Sequence, residues 1–352
     1  MGANEAVRTA PHRLPEAVLR LGVSSIGTAP RFEGLGSKIV ITGVSSTLMN
    51  NAAEITLVYD TKTAKLDIGR PLPERLVSSY RAASTGEKLC VIEAIGKSPL
   101  YLSEEPAECA ALLSGPYTNF DDEDSIMSSL RGQMKEWAWK RGPLPLPPMH
   151  GRVKSYAVHP DGRTIFASSS FTFCLNTRSN GSSRCGDWCL PFDGRAYYDH
   201  DLDAWVGMRR SDNIDGGNWG TYYLCACDVP SALADGTTPP PAWKMSKKEL
   251  TFFEPPPTSI SRRTLVHTGR GRFCLVELTP APPLDSHCIC FQDGLQHLLR
   301  VTMFRAKHGK NGEHVVTSCR PGRSYLVPNY YKHAITNIVL DHADEPPTAF
   351  WM

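Results

Sequence analysis

The chain has 352 residues, enough for two ordinary domains or for one large all-β ring. Its 38 basic and 36 acidic side chains almost cancel, so bulk electrostatics give no reason to expect a nucleic-acid or membrane-surface partner. The 28 glycines and 28 prolines indicate many turns and few long helices.

The amino terminus carries no sign of export or membrane insertion. No apolar run approaches the roughly 18 residues that span a bilayer, and residues 1–22 lack the apolar centre of a secretory signal. We expect residues 1–15 to form a flexible tail and the protein to reside in the cytoplasm or nucleus. Most of the eleven cysteines would then be small buried hydrophobic residues in a reducing compartment.

The first strand-rich unit follows Lys38, where KIVITGVSS precedes EITLVYDTKTAKLDIG. Ile55, Leu57 and Tyr59 alternate with their neighbours, and a period of two places successive side chains on opposite faces of a sheet. A second unit runs from Glu87 to EWAWKRG. It carries an acidic insertion that we predict to be partly helical, from about Ser103 to Gln133.

The third unit is the stretch Val153–Thr177 with the residues that follow it. Its sequence HPDG contains Asp161-Gly162, which predicts a type I′ turn because both central positions of that turn need a positive φ. A polar loop then leads to Asp187–Pro191, which we predict to be the fourth strand. Four short strands in about forty residues match the size of one propeller blade.

Two further units follow, from Gly194 to Lys244 and from Arg263 to Glu313, the latter with a hairpin at Gly269–Gly271. A sixth, composite blade could combine Tyr330–Met352 with Val18–Ile26, closing the ring so that no long strand edge stays exposed. We therefore predict an all-β, kelch-like propeller of six irregular blades, five of them visible, as a single domain over residues 16–352.

These segments also carry a family resemblance. YDTKT, SYAVHPDGRTIF, AYYDHDLDAWVGM, GRFCLVEL and the terminal AFWM resemble a plant family, expanded mainly in grasses, of kelch-like or F-box-associated propeller proteins labelled as a domain of unknown function. The resemblance covers Arg31 to Met352 and implies a β-propeller with no established activity. No F-box, with its roughly forty helical residues, precedes the first blade, which weakens a role as a ubiquitin-ligase subunit.

Asp199, Asp201 and Asp203 match the first oxygen ligands of a calcium loop. Such a loop needs glycine at its sixth position and glutamate at its twelfth, where Ala204 and Arg210 stand. Asp is also common in turns, so we interpret this run as a solvated hairpin.

The cysteine pairs do not match a zinc site. A structural site usually needs two C-x₂₋₄-C pairs that meet at one ion, whereas here the pairs lie on different predicted blades. We predict buried strand cysteines for the pairs Cys225 with Cys227, Cys288 with Cys290, and Cys185 with Cys189.

No local pattern indicates catalysis or phosphate binding. His159 and Asp161 flank the proline of a hairpin, and Ser168–Ser170 lies between two strands without a G-x-S-x-G elbow. Gly34–Lys38 lacks the spacer of a Walker loop. Gly269–Arg272 is a tight turn with two arginines, where an RNA or phosphate contact is the less favoured alternative to a plain turn. We predict solvated loop charges for Arg209-Arg210, Lys247-Lys248 and Arg262-Arg263, and core or blade-edge packing for Trp137, Trp188, Trp205 and Trp243.

The sequence therefore predicts a non-enzymatic protein-interaction scaffold, a monomer that binds protein partners and contains no catalytic residue, cofactor or metal. The expected contact segments are Asp121–Asp124, Ser211–Gly220 and Ser231–Pro241. Two alternatives remain: a substrate-recognition subunit of a ubiquitin ligase, and an enzyme with its site in the propeller channel. The second alternative requires polar groups with shifted pKa values that converge on the channel, and an apolar channel would exclude it.

Overall fold

The computed structural model describes residues 12–13, 30–46, 53–73, 76, 80–86, 88–93, 109–115, 136–141, 152–178, 181–211, 221–231, 238–252, 262–280, 297–308, 314–317 and 322–327. Strands and turns dominate these ranges. The strands are β1 (His12–Arg13), β2 (Arg31–Leu35), β3 (Lys38–Ser46), β4 (Ala53–Asp60), β5 (Lys65–Gly69), β6 (Tyr80–Thr85), β7 (Lys88–Glu93), β8 (Cys109–Gly115), β9 (Glu136–Arg141), β10 (Ser155–Val158), β11 (Thr164–Ser168), β12 (Thr172–Asn176), β13 (Gly181–Gly186), β14 (Gly194–Asp199), β15 (Ala204–Arg210), β16 (Tyr222–Cys227), β17 (Trp243–Glu249), β18 (Arg262–Gly269), β19 (Arg272–Pro280), β20 (His297–His308), β21 (His314–Thr317) and β22 (Arg323–Val327).

The strands group into five antiparallel units in chain order. Strands β2–β5, β6–β9, β10–β13 and β14–β17 each form a four-stranded meander. The fifth unit comprises β18, β19 and β20, and its outer position is shared by two short strands that both pair with β20. Strand β22 pairs along His297–Val301 and β21 along Arg305–His308. The five units predicted from the alternating pattern are confirmed.

The first strand of one unit lies beside the first strand of the next. Strands β10 and β14 pair in parallel, with Ser155 opposite Gly194 and Ala157 opposite Ala196. Strand β2 contacts β6, β6 contacts β10, and β14 contacts β18. The first strands therefore form an inner row around an axis and the later strands extend outward. The fold is a β-propeller.

The propeller packs its units face to face, so each inner sheet buries both of its surfaces. In β7, Leu89 and Val91 pack in a cluster shared with the first unit, whereas Cys90 and Ile92 pack in a cluster shared with the third. The same division by alternate residues holds in β11 and β16. Burying one such large aliphatic side chain contributes about 1.5–3 kcal/mol, so these interfaces hold the ring together.

The fourth strand of the third unit lies earlier than predicted. The polar segment Gly181–Gly186 forms β13, and Asp187–Pro191 contains no strand. Instead, side chains of the preceding hairpin form hydrogen bonds with the backbone of Asp187–Pro191. Thr172 Oγ1 donates to the Trp188 carbonyl at 2.6 Å, and the Leu190 amide donates to Ser168 Oγ at 3.0 Å.

The turn at His159–Gly162 is not the predicted type I′ turn. Gly162 has a φ of +67°, but Asp161 does not have a positive φ. Pro160 occupies the first central position, where its ring fixes a negative φ and favours a type I turn. The Gly162 amide accordingly donates to the His159 carbonyl at 2.9 Å.

Three other predictions concern segments that lie partly or wholly outside the described residues. Within the predicted helical insertion Ser103–Gln133, Cys109–Gly115 is the strand β8, which pairs with β7 and β9. Within the predicted tail, His12–Arg13 forms β1 and pairs in parallel with Tyr325 and Leu326. The segments Val18–Ile26 and Tyr330–Met352, proposed for a sixth blade, lie outside the described residues.

In the described part of the chain, no helix has the length and apolar character needed to cross a bilayer.

Candidate functional site: the hairpin face

The turns between the first and second strands of the units lie at one end of the propeller, which we call the hairpin face. Side chains and backbone groups at this end link each unit to the next. Ser84 Oγ donates to the Gly34 carbonyl, Lys88 Nζ donates to the Thr177 carbonyl at 3.3 Å, Trp205 Nε1 donates to the Val158 carbonyl at 2.9 Å, and the Gly271 amide donates to Asp199 Oδ2 at 2.5 Å. The hairpin face is therefore one connected surface across all five units.

The ends of the third strands are fastened to this face by a repeated contact. In the first unit, the Thr61 amide and Oγ1 both donate to the Ser37 carbonyl, at 3.0 and 2.8 Å. In the third unit, the Thr177 amide and Oγ1 both donate to the Arg163 carbonyl, each at 2.9 Å. Thr61 and Thr177 therefore occupy equivalent positions, and both turns are stabilised in the same way.

Asp199 joins the fourth and fifth units through a buried carboxylate. Its Oδ1 accepts hydrogen bonds from the amides of Asp201 and Leu202, at 3.0 and 3.1 Å, which shapes its own turn. Its Oδ2 accepts from the Gly271 amide and lies 2.7 Å from His267 Nε2, both in the fifth unit. No part of the Asp199 side chain is exposed to solvent.

These contacts set the protonation of Asp199. Burial by itself acts to raise the pKa of this carboxyl, but the hydrogen bond from the Gly271 amide and the contact with His267 outweigh it, so the pKa lies below its ordinary value. At neutral pH the residue is an anion held by the backbone of the next blade.

The β18–β19 turn, which Asp199 holds, has an unusual backbone. Gly269, Arg270 and Gly271 have φ values of +95°, +50° and +67°. The Gly271 carbonyl also accepts a 2.8 Å hydrogen bond from the Ala306 amide, so the turn is fixed from both sides. A side chain at Gly271 would meet the Ala306 carbonyl oxygen at 3.1 Å, which explains the glycine.

Beside this turn lies a cavity of about 370 Å³, the arginine pocket, formed by Asp201, Arg270, Arg272 and Arg305. Asp201 Oδ2 and Arg305 Nη2 form an ion pair at 3.6 Å. Three guanidinium groups and one carboxylate leave the pocket with a net charge of +2. The pocket combines residues from the fourth and fifth units.

A second polar group lies on the inner strands, around the axis. Glu33 of the first unit is near enough for its charge to raise the pKa of Tyr156 in the third and of Tyr197 in the fourth. The Arg195 guanidinium lies over the Tyr197 ring at 4.8 Å from its centre, and Arg81 Nε donates to the Val153 carbonyl at 3.5 Å. Side chains from four units therefore converge on the axis.

The pKa values of the axial residues Tyr156, Tyr197 and Arg195 are shifted away from neutral pH. Burial is the main cause that raises the pKa of both Tyr156 and Tyr197, although the nearby Arg195 opposes it. Burial acts to lower the pKa of Arg195, but the neighbouring tyrosines and Glu33 outweigh it and raise the value. Both tyrosines thus stay protonated and Arg195 stays charged near pH 7, which suits hydrogen bonding and charge recognition better than proton transfer.

A family model supplies the identification. It is described as "Protein of unknown function (DUF1668)" and matches residues 2–325. The chain belongs to the DUF1668 family. The resemblance to a family of unknown function, drawn from the hairpin motifs, agrees with this match.

This DUF1668 protein is also similar to a solved propeller. The structure is the β-propeller domain of the Trilobed protease from Pyrococcus furiosus, which has an open velcro topology. The TM-score is 0.34 with 9% sequence identity, over 86% of this chain and 82% of the other. Among curated proteins, none matches the sequence.

In the DUF1668 protein, the three carboxylates of Asp199–Asp203 point to three different partners. Asp199 binds the fifth unit, Asp201 pairs with Arg305, and Asp203 Oδ1 accepts a 2.6 Å hydrogen bond from Tyr198 Oη. The predicted hairpin is present, but Asp199 is buried rather than solvated. Across the described ranges, no group of three His, Cys, Asp or Glu side chains is placed to hold a metal ion.

The cysteine predictions divide by position. Cys225 and Cys227 are buried in the cluster between the third and fourth units, where burial raises the pKa of each thiol to about 12. Cys185 is buried in the same cluster, whereas Cys189 is exposed. Cys288 and Cys290 lie outside the described residues.

The other candidates for chemistry have structural roles. Ser168 Oγ lies 2.8 Å from Thr172 Oγ1, and His159 Nδ1 accepts the Asp161 amide at 3.2 Å. The predicted loop pairs of basic residues lie in strands β15, β17 and β18 instead, and Arg263 is buried beside Glu277, with Nε 3.4 Å from Oε1.

The tryptophans follow the packing prediction. Trp137 and Trp205 are buried, Trp188 packs partly buried against the cluster of the third and fourth units, and Trp243 is 46% exposed at the outer edge. There the Arg209 guanidinium lies 4.8 Å from the Trp243 ring centre.

Sequence reasoning found the two arginines of the β18–β19 turn but missed their partners and the whole axial group, because each polar group is assembled from different units. One signal for the axial group was available. The first strands RFEGL, YRAAST, SYAV and GRAYYD each carry a large polar or aromatic residue among small or apolar neighbours. No comparable pattern joins Arg305 to Arg270, since β20 is separated from the hairpin by the whole of β19.

Proposed function

We propose that this protein is a non-enzymatic protein-interaction scaffold that contacts its partners through the hairpin face. The observation that carries the proposal is the chain of hydrogen bonds linking the turns of neighbouring units. A surface whose turns are mutually fixed loses little conformational entropy when a partner binds, which favours affinity. Exposed basic side chains on this surface, among them Lys62 and Arg163, supply polar contacts.

Two of the contact segments expected from the sequence belong to connections whose flanking strands have their connected ends at this face. Asp121–Asp124 lies in the connection from β8 to β9, and Ser231–Pro241 in the connection from β16 to β17. In an antiparallel meander, the connection between strands three and four begins at the same end as the first hairpin. Ser211–Gly220 joins β15 to β16 and so belongs to the opposite end; most residues of all three segments lie outside the described ranges.

The axial group supports a binding role rather than catalysis. The channel alternative requires polar groups with shifted pKa values that converge on the channel, and Tyr156, Tyr197 and Arg195 meet that requirement. General acid–base catalysis needs, in addition, a group that changes protonation near neutral pH. The pKa values of Tyr156, Tyr197 and Arg195 are all raised, which takes them further from neutral pH. The described cysteines are free thiols, which supports the proposal of a reducing compartment, the cytoplasm or nucleus.

The test compares two charge-reversed baits in pull-downs from cell extract with quantitative mass spectrometry. One bait carries Lys62→Glu and Arg163→Glu on the hairpin face. The matched control carries Lys247→Glu and Lys248→Glu on the exposed outer strand β17. We expect partners of the wild-type bait to be lost by the first variant and kept by the second. Partners kept equally by both variants, or no specific partner, would contradict the proposal, and recovery of a cullin-type ligase component would favour the adaptor alternative.

A further inference from the structure

The arginine pocket has the composition of an anion site. Arg270, Arg272 and Arg305 contribute three guanidinium groups to one cavity, and Asp201 contributes the single carboxylate. Guanidinium groups present planar pairs of N–H donors that match the oxygens of phosphate and carboxylate groups. A volume of about 370 Å³ is near the lower limit of ligand pockets, which are typically about 300–1,000 Å³, so it suits a small group.

The charge of the pocket selects among anions. The net charge of +2 is matched by one dianionic group and only half matched by a single carboxylate. A phosphate monoester carries about −1.5 to −2 charges at pH 7 and offers three acceptor oxygens, one for each guanidinium. Asp201 lies 3.6 Å from Arg305 and positions that side chain while lowering the total positive charge.

The turn that presents two of these arginines is held in an unfavourable backbone conformation. Arg270 has a φ of +50°, a region that non-glycine residues rarely occupy. Buried Asp199 and the Ala306 amide fix the flanking Gly271 through hydrogen bonds of 2.5 and 2.8 Å. Strain maintained by surrounding contacts is typical of functional positions, and glycine at position 270 would remove it.

We propose that the arginine pocket binds the dianion of a phosphate monoester. Arg270, Arg272 and Arg305 each donate to the phosphate oxygens, and the hydrogen bonds to Gly271 fix the backbone from which Arg270 and Arg272 extend. The site goes beyond the scaffold role and does not depend on it, because pull-down partners and phosphate binding are measured separately.

The test uses the full chain and methyl phosphate as the probe, titrated at constant ionic strength and pH 7.5 by calorimetry. Dimethyl phosphate, a monoanion with similar oxygens, is the matched ligand control. We expect methyl phosphate to bind at least about tenfold more tightly than dimethyl phosphate, and to weaken when the pH falls below its second pKa of about 6. Equal binding of the two esters, or no saturable binding of methyl phosphate, would overturn the proposal.

Variants locate the binding. Arg270→Gly, Arg272→Gln and Arg305→Gln should each weaken methyl phosphate binding about tenfold or more, because each removes a charge-assisted hydrogen bond. Arg178→Gln, an exposed arginine of another hairpin, is the matched control and should bind as the wild type does. Arg270→Gly should also keep or raise the thermal midpoint, so its loss of binding cannot come from unfolding. Wild-type affinity in the three pocket variants, or an equal loss in the control, would refute the site.

Two further ligands distinguish the source of the phosphate. Inorganic phosphate represents a free small molecule, and a phosphoserine peptide with neutral flanking residues represents a modified protein. Tighter binding of the peptide than of inorganic phosphate assigns the pocket to a protein-borne group, whereas binding of inorganic phosphate that is equal or tighter assigns it to a small phosphate. A peptide without its phosphate should not bind.

Discussion

Replacing Asp199 by asparagine tests the contact that joins the fourth and fifth blades. The Asp199 carboxylate accepts hydrogen bonds on both oxygens, two from its own turn and others from the next blade. In asparagine, an NH₂ group replaces one of the two carboxylate oxygens. This NH₂ group lies either against the amides of Asp201 and Leu202 or against the amide of Gly271, so on that side the buried backbone donors lose their acceptor.

The cost follows from that lost acceptor. A buried donor without a partner costs about 1–3 kcal/mol, and hydrogen bonds to a charged acceptor are roughly twice as strong as neutral ones. We expect Asp199→Asn to lower the free energy of unfolding by about 2–4 kcal/mol. Urea denaturation followed by tryptophan fluorescence measures this change, and hydrogen exchange should show faster exchange in residues 262–280.

Asp161→Asn is the matched control, because Asp161 occupies a similar turn in the third unit. Its Oδ1 accepts the amides of Arg163 and Thr164, at 2.8 and 2.9 Å, and its Oδ2 accepts Thr164 Oγ1 at 2.7 Å. An asparagine amide can donate to that hydroxyl instead, so we expect a loss under about 1 kcal/mol. An equal loss in the two variants would refute the inter-blade role of Asp199.

The same residue gives a pH dependence with a definite sign. Because the pKa of Asp199 is lower in the folded protein than its ordinary 3.8, its contribution to stability is present above that value and is lost as the pH falls through the folded pKa. The stability difference between the wild type and Asp199→Asn should therefore shrink below about pH 4. A difference that stays constant from pH 7 to pH 3 would contradict the charged role.

Two further predictions concern the same surface and the cysteines. Gly271→Ala should destabilise the protein more than Gly36→Ala, since both have a positive φ but only Gly271 would also press a side chain against the Ala306 carbonyl, at 3.1 Å. The expected losses are about 2–4 and about 1–2 kcal/mol, measured by urea denaturation, and equal losses would count against the docked turn. Burial raises the pKa of Cys189 as well as that of Cys225, which reaches about 12, so exposure decides the order. Among the described cysteines, exposed Cys189 should react first with a maleimide at pH 7, and buried Cys225 should react only after unfolding. Mass spectrometry of labelled peptides checks the order, and early labelling of Cys225 would show that its strand is not buried.

The strand units were predictable because their signal is local. The alternation of Ile55, Leu57 and Tyr59 places side chains on two faces whatever the rest of the chain does, and the structure confirms β4 there. Predictions failed where a local preference met a tertiary contact. The apolar segment Asp187–Pro191 is not a strand because Thr172 and Ser168 bind its backbone, and the polar segment Gly181–Gly186 completes the sheet in its place.

By itself, the sequence determined the number of recognisable units, their all-β character and the positions of most turns, since each depends on residues that are neighbours in the chain. Only the tertiary structure decided which turns touch. Asp199 and Gly271 are separated by 72 positions, yet the stacking of two blades brings them within 2.5 Å. Likewise, the arginine pocket exists because β20 pairs with β19 and returns Arg305 to the β18–β19 hairpin, opposite Arg272. A pattern of period two specifies the face of a sheet on which a side chain lies, but the partner across that face is set by the packing of blades.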